Sequence, residues 1–190
     1  ILSENVERMG IANAMVTNET PQRLAEMFED YFTRILVDAP CSGEGMFRKN
    51  EAACEEWSPE NVSLCAERQD GILDCAASML APGGRIVYST CTFAPAENEG
   101  SMTRFLLRHP EFRIVEVKKA DGMSAGVPEW AYFREKMGQV LPEIAQTIRL
   151  WPQHLNGEGH YLAVLEKEGT LRQGYCRNGE EKGIPAKDLK

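Results

Sequence analysis

Cys41 and Cys91 differ in setting from the other four cysteines of this chain. Cys41 follows Asp38-Ala39-Pro40, and Cys91 follows Ser89-Thr90 fifty positions further on. A thiolate is a strong nucleophile, and a second thiol or a carboxyl group beside it can move protons to and from an adduct. Replacing the carbon-5 hydrogen of a cytosine calls for these parts. A thiolate adds at carbon 6, the enamine-like ring then attacks a methyl sulfonium, and a base removes the carbon-5 proton so that the thiol can leave. An acidic group near ring nitrogen 3 stabilises the charge that develops. The necessary parts are a positioned thiol, a second proton-handling group and a carboxyl group, and the two peptides offer two thiols, Cys41 and Cys91, and the carboxyl of Asp38.

Such chemistry requires that elements far apart in sequence bring the two peptides together. Arg34-Ile35-Leu36-Val37-Asp38 is an apolar, β-rich run that stops at Ala39-Pro40, and Arg85-Ile86-Val87-Tyr88-Ser89 is a second. Both read as buried strands. Between them, after a loop containing Gly43 and Gly45, Ser58-Pro59-Glu60 offers an N-cap and a proline in the first turn. This predicts a helix to about Leu80 with Leu64, Ile72, Ala76 and Met79 among its buried positions. Ala81-Pro82-Gly83-Gly84 ends it. Each cysteine of interest thus falls just past a strand end, where chemistry gathers in parallel α/β sheets.

The flanking chain fits the same plan. Residues 1–9 read as an amphipathic helix with Leu2, Val6 and Met9 near one face and Gly10 closing it. A short strand is predicted over Ala14–Thr17, a helix over 21–29, a helix over 95–108, a strand over 112–117 and a last strand over His160–Leu165. Residues 119–146 read as a loop-bearing insertion, and the tail after Lys167 is polar. Strands alternating with long helices predict a mostly parallel sheet with helices on both faces.

Composition excludes several classes. The 190 residues suit one domain, and no stretch nears the roughly 18 apolar residues of a membrane span. No secretory signal is visible, so reduced thiols and a cytoplasmic location are expected. No two of the six cysteines form a CxxC pair and no histidine sits at ligand spacing, so no metal is expected. Cys54, Cys65 and Cys75 read as inert core residues, and Cys176 as an exposed residue of the tail. His109, His154 and His160 read as structural. Arg48 and Lys49 could contact phosphates or sit on a solvated loop. The net charge of −8 counts against this chain gripping nucleic acid alone.

ILVDAPCSGEGMFRK (35–49) resembles the fourth motif of the Sun/Nop family of RNA cytosine-5 methyltransferases, and PGGRIVYSTCTFAPAENE (82–99) resembles its sixth. RLWPQHLNGEGHYLAVLEK (149–167) resembles the final strand region, particularly of the bacterial 16S ribosomal RNA branch. The resemblance covers about residues 1–167. It implies a Rossmann-like class I fold dependent on S-adenosylmethionine, acting on ribosomal RNA as a monomer. Cys91 would attack the base, Cys41 would assist proton removal and product release, and Asp38 would contact both base and methyl donor. Pro40 would shape the loop beside the cofactor, and Asn18, with Glu19 as a competitor, would lie near the adenine.

Related enzymes leave alternatives. DNA cytosine methyltransferases attack with the cysteine of a Pro-Cys motif, which keeps Cys41 as the alternative nucleophile. Amino-group methyltransferases carry Asn/Asp-Pro-Pro-aromatic where this chain has Asp-Ala-Pro-Cys, which favours carbon methylation. A thiol hydrolase using a histidine, a non-catalytic RNA- or ribosome-binding domain, and transfer RNA as substrate also stand. The Gly-rich loop and the ribose-binding acid of such folds are not found. Residues 1–167 are therefore expected to form the C-terminal part of a catalytic domain lacking its first strands, and 168–190 a linker toward a C-terminal RNA-binding domain. Little activity is expected of the chain alone.

Overall fold

A computed structural model describes residues 2–135 and 140–171. Cys176 and most of the expected linker lie outside them. The helices are α1 (Leu2–Arg8), α2 (Pro21–Met27), α3 (Glu51–Glu56), α4 (Pro59–Met79), α5 (Glu99–Arg108) and α6 (Pro128–Glu135). The strands are β1 (Phe32–Asp38), β2 (Leu80–Thr90), β3 (Phe112–Ile114), β4 (Met123–Ala125), β5 (Ile148–Leu150) and β6 (His160–Lys167).

β1 and β2 form a parallel pair, with Asp38 opposite Ser89. β2 also pairs antiparallel with β6, whose other edge takes β3 toward one end and β5 toward the other; β4 extends the sheet from β5. The expected parallel arrangement therefore holds between β1 and β2, whereas the other four described pairings are antiparallel and the sheet is mixed. The reason is local: β6 returns beside β2 in the opposite sense and serves as the template for the strands beyond it.

α4 connects the parallel pair as expected. The Ser58 side chain accepts from the N–H of Asn61 at 3.0 Å and Pro59 opens the first turn, satisfying the helix start. The helix passes directly into β2. There β1 advances from Phe32 to Arg34 while β2 advances from Leu80 to Arg85, so 81–84 bulge out, with Gly83 at φ +78°. The predicted break is thus a bulge within the strand.

The core lies on one face of the sheet. Val37, Ile86, Tyr88, Tyr161, Ala163 and Leu165 alternate inward against Leu73 and Ala76 of α4 and Met102 and Phe105 of α5. The opposite face was expected to be covered too. Among the described residues it stays more open, with Leu36 71% exposed.

Several local expectations need correction. Ala14–Thr17 is exposed and not a strand, because no described strand lies beside it to take its hydrogen bonds. Leu64 is 61% exposed, since α4 turns that side to solvent, and Cys54 is exposed rather than core. α1 forms and Gly10 takes φ +67°, yet Leu2 and Met9 remain exposed. Helix 95–108 begins only at Glu99, after a turn, and strand 112–117 stops at Ile114. The insertion at 119–146 is more ordered than expected, containing β4, α6 and a 3-10 turn at Pro142–Gln146.

Candidate active site

Asp38 is the last residue of β1, and Ala39 N–H still donates to Ser89 O at 2.9 Å, so the sheet pairing continues one step past the strand. The chain then turns at Pro40, whose carbonyl is held by the Gln69 side-chain amide at 2.8 Å. β2 ends at Thr90 and delivers Cys91 to the same place. The two sulfurs are 3.1 Å apart, and the Cys91 N–H donates to Cys41 Sγ at 3.3 Å. Beside them the Ser89 hydroxyl donates to Asp38 Oδ1 at 3.0 Å, which leaves the other carboxylate oxygen free to face a ligand. The structure thus brings Cys91, Cys41 and Asp38 together as the spacing predicted.

Electrostatics divides the thiols. The hydrogen bond from Cys41 stabilises negative charge on Cys91 and lowers its pKa to about 7, against opposition from burial and from Asp38. The same contact, followed by burial, pushes Cys41 up. The Cys91 N–H partly offsets that rise. Cys91 is therefore the more acidic of the two thiols. Among the described residues no histidine is hydrogen-bonded to either sulfur. That removes the arrangement a thiol hydrolase would need. His109 instead meets Asp74 at 2.8 Å and packs against Phe105, a structural position.

Residues that the motif reading left without a role hold this geometry. One residue past each cysteine, Ser42 and Thr92 meet at 2.9 Å between their hydroxyls. Glu97, fully buried, accepts from the Ser42 N–H at 3.1 Å, from the Gln69 amide at 2.8 Å and contacts the Ser42 hydroxyl. Glu44 accepts from the Thr92 hydroxyl and the Phe93 N–H, both at 2.9 Å, and from the Trp57 indole at 2.8 Å. Gly45 N–H donates to Cys91 O at 2.8 Å, and a Cβ on Gly45 would lie 2.8 Å from that oxygen and 2.3 Å from Gly159 O. Below Phe93, Arg149 and Glu99 form a fully buried pair, and Arg149 donates to Phe93 O at 3.2 Å. The available signal was a hydroxyl residue directly after each cysteine, Ser42 and Thr92.

Arg48 and Lys49 turn to the 157–158 segment, Arg48 donating to Gly157 O and Lys49 lying 3.6 Å from Glu158. A groove of about 370 Å³ runs along the exposed side of β1. Glu19, Asp38 and Pro40 line it with apolar walls from Leu24, Ile35 and Ile72, while Asn18 is exposed and outside the lining. An apolar wall ending in carboxylates suits a flat heteroaromatic ring attached to a hydroxylated sugar. The residues present fit the purine end of S-adenosylmethionine.

The family model for 16S rRNA methyltransferase RsmB/F matches residues 1–166. The ribosomal RNA small subunit methyltransferase F of Shewanella denitrificans is 30% identical over 187 residues, covering 97% of this chain and 34% of that protein. A tRNA (cytosine(49)-C(5))-methyltransferase of Pyrococcus abyssi is 36% identical over 167 residues, covering 88% of this chain and 51% of that protein. The chain therefore spans between a third and a half of the length of these relatives. In fold it matches the crystal structure of a methyltransferase homologue from Pyrococcus horikoshii with a TM-score of 0.71 at 24% identity, over 87% of this chain and 48% of that one. The paired strand-end peptides and these matches agree: this chain belongs to the 16S rRNA methyltransferase RsmB/F family.

Proposed function

We propose that the protein containing this chain methylates carbon 5 of a cytosine in ribosomal RNA through a covalent adduct at Cys91. The observation that carries this reading is the pair of sulfurs 3.1 Å apart beside Asp38. S-adenosylmethionine, when bound, supplies an electrophilic methyl group; Asp38, Pro40 and Glu19 are the residues of the β1 groove that would hold it, with Asn18 beside them in sequence. The chain's own residues handle the base. Cys91 thiolate forms a bond to carbon 6, pushing the ring electrons toward carbon 5. Asp38, steadied by Ser89, hydrogen-bonds the base edge.

Once Cys91 is bonded to carbon, the charge that kept Cys41 protonated is gone. Cys41 then releases its proton to solvent, and its thiolate accepts the carbon-5 proton. The electrons of that C–H bond restore the ring double bond and expel Cys91 as thiolate. Cys41 is again a thiol beside it, and one proton has been released overall.

In the full-length protein Cys91→Ala should abolish turnover, and Cys41→Ala should accumulate an RNA adduct that survives a denaturing gel. An adduct with Cys91→Ala instead would reverse the two roles. Transfer RNA is the second reading, favoured by the identity to the Pyrococcus abyssi relative. Bisulfite mapping of both RNAs from cells lacking the protein decides which cytosine loses its methyl group.

A further inference from the structure

The polar network behind the thiols makes one more hydrogen bond than its hydroxyls can supply. Glu97 Oε1, Ser42 Oγ, Thr92 Oγ1 and Glu44 Oε2 form a chain of three successive contacts. Each contact needs one proton, and the two hydroxyls bring two. The other donors are spent elsewhere. The Ser42 N–H and the Gln69 amide lie closest to the second oxygen of Glu97, Oε2, and Ala94 N–H already donates to Thr92 Oγ1. The third proton therefore sits on a carboxyl at one end.

The two ends are unequal. Glu44 receives donors on both oxygens, from Trp57 and Phe93 as well as Thr92, and it is only partly buried. It is suited to carry charge. Glu97 is 0% exposed and has no cationic partner among the described residues. Among the described residues, the titratable groups that interact with it include the acids Glu44 from the loop, Cys65 from α4, Tyr88 from β2 and Cys91 itself. An ionised carboxylate buried among acids without a counter-ion is costly.

We propose that Glu97 is a proton-holding positioning residue, a neutral carboxylic acid that donates from Oε1 to Ser42. Ser42 then donates to Thr92, and Thr92 to Glu44. This one-directional chain ties the residue after Cys41 to the residue after Cys91, so it fixes the distance between the sulfurs. Burial, with a smaller contribution from Glu44, raises the Glu97 carboxyl against the lowering hydrogen bonds from Ser42 and Gln69, the direction the proton count requires. Neutrality has a consequence for the thiols: an ionised Glu97 would oppose the thiolate of Cys91. That consequence rests on Cys91 being the nucleophile, whereas the proton count does not.

The test uses the full-length protein labelled with ¹³C at the glutamate carboxyls. At neutral pH one carboxyl resonance should stand at the protonated position and be missing in Glu97→Gln. A wild-type spectrum with every glutamate at the ionised position overturns the proposal, and it decides the matter even if the variant does not fold. The second readout is the pH profile of Cys91 alkylation by iodoacetamide. Glutamine reproduces a neutral donor and acceptor, so its profile should overlay wild type within about 0.3 pH unit; a fall of the midpoint by roughly one unit would show that a negative charge had been removed, and would sink the idea. Neither readout involves RNA, so failure here is distinct from failure of the proposed methylation.

Discussion

The backbone N–H and the side chain of Cys91 both converge on the sulfur of Cys41, at 3.3 Å and 3.1 Å. Cys41 is therefore a principal part of the environment of Cys91. Its S–H is the largest cause of the lowered pKa of Cys91. Replacing Cys41 with alanine should raise that pKa from about 7 toward the ordinary thiol value. A group whose pKa rises holds its proton to higher pH, so less thiolate is present at neutrality. Alkylation of Cys91 at pH 7 should slow by roughly tenfold, with the midpoint of the rate–pH profile moving upward. A midpoint that stays in place would show that something other than Cys41 sets the acidity.

Gly45 should tolerate no side chain. Both obstacles to a Cβ are backbone carbonyls, Gly159 O at 2.3 Å and Cys91 O at 2.8 Å, so relief requires moving one of the two segments. Gly45→Ala should cost about 1–3 kcal/mol in urea unfolding, the range of overpacked sites. It should also slow Cys91 alkylation, because the Gly45 N–H to Cys91 O bond is lost with the displacement. A variant as stable and as reactive as wild type would mean that the loop adjusts freely.

How much of this was legible in the sequence depends on the range of the forces involved. The start of α4 was readable because Ser58 and Pro59 satisfy the helix end within four residues. The meeting of Cys41 and Cys91 was readable because each closes a strand and one long helix separates those strands. The three-residue strands β4 and β5 were not, since β5 forms against β6 and β4 against β5, partners that lie outside each strand's own local sequence. The same holds in reverse for Ala14–Thr17, which has the composition of a strand and no neighbour. Glu97 and Glu99 fall in the first turns of the predicted helix 95–108, where local sequence does not set burial. They are buried because Gln69, Ser42 and Arg149 arrive from three other segments, and no local pattern announces that.

Arg149 and Glu99 should behave as a coupled unit. Both side chains are almost wholly buried, at 1% and 0% exposure, and Arg149 also lies 4.9 Å from the Trp130 ring and 5.1 Å from the Trp151 ring. Removing either partner strands the other's charge. Arg149→Met and Glu99→Gln should each cost on the order of 3–5 kcal/mol, and the double variant distinctly less than their sum. Equilibrium urea unfolding of the four proteins gives the coupling directly. Strict additivity would show that the pair does not act as one.

The groove along β1 yields the last prediction. Its polar lining consists of Glu19 and Asp38, both exposed to solvent, and the rest of the wall is mostly apolar. Exposed carboxylates bind weakly, because water and salt screen them and no buried donor fixes the ligand's orientation. S-adenosylmethionine should therefore bind this chain with a Kd on the order of a millimolar or weaker by calorimetry. The full-length protein should bind it far more tightly, and Asp38→Ala should weaken that binding. Micromolar affinity in the 190-residue chain would mean that the β1 groove alone holds the donor, and that the walls seen here are sufficient.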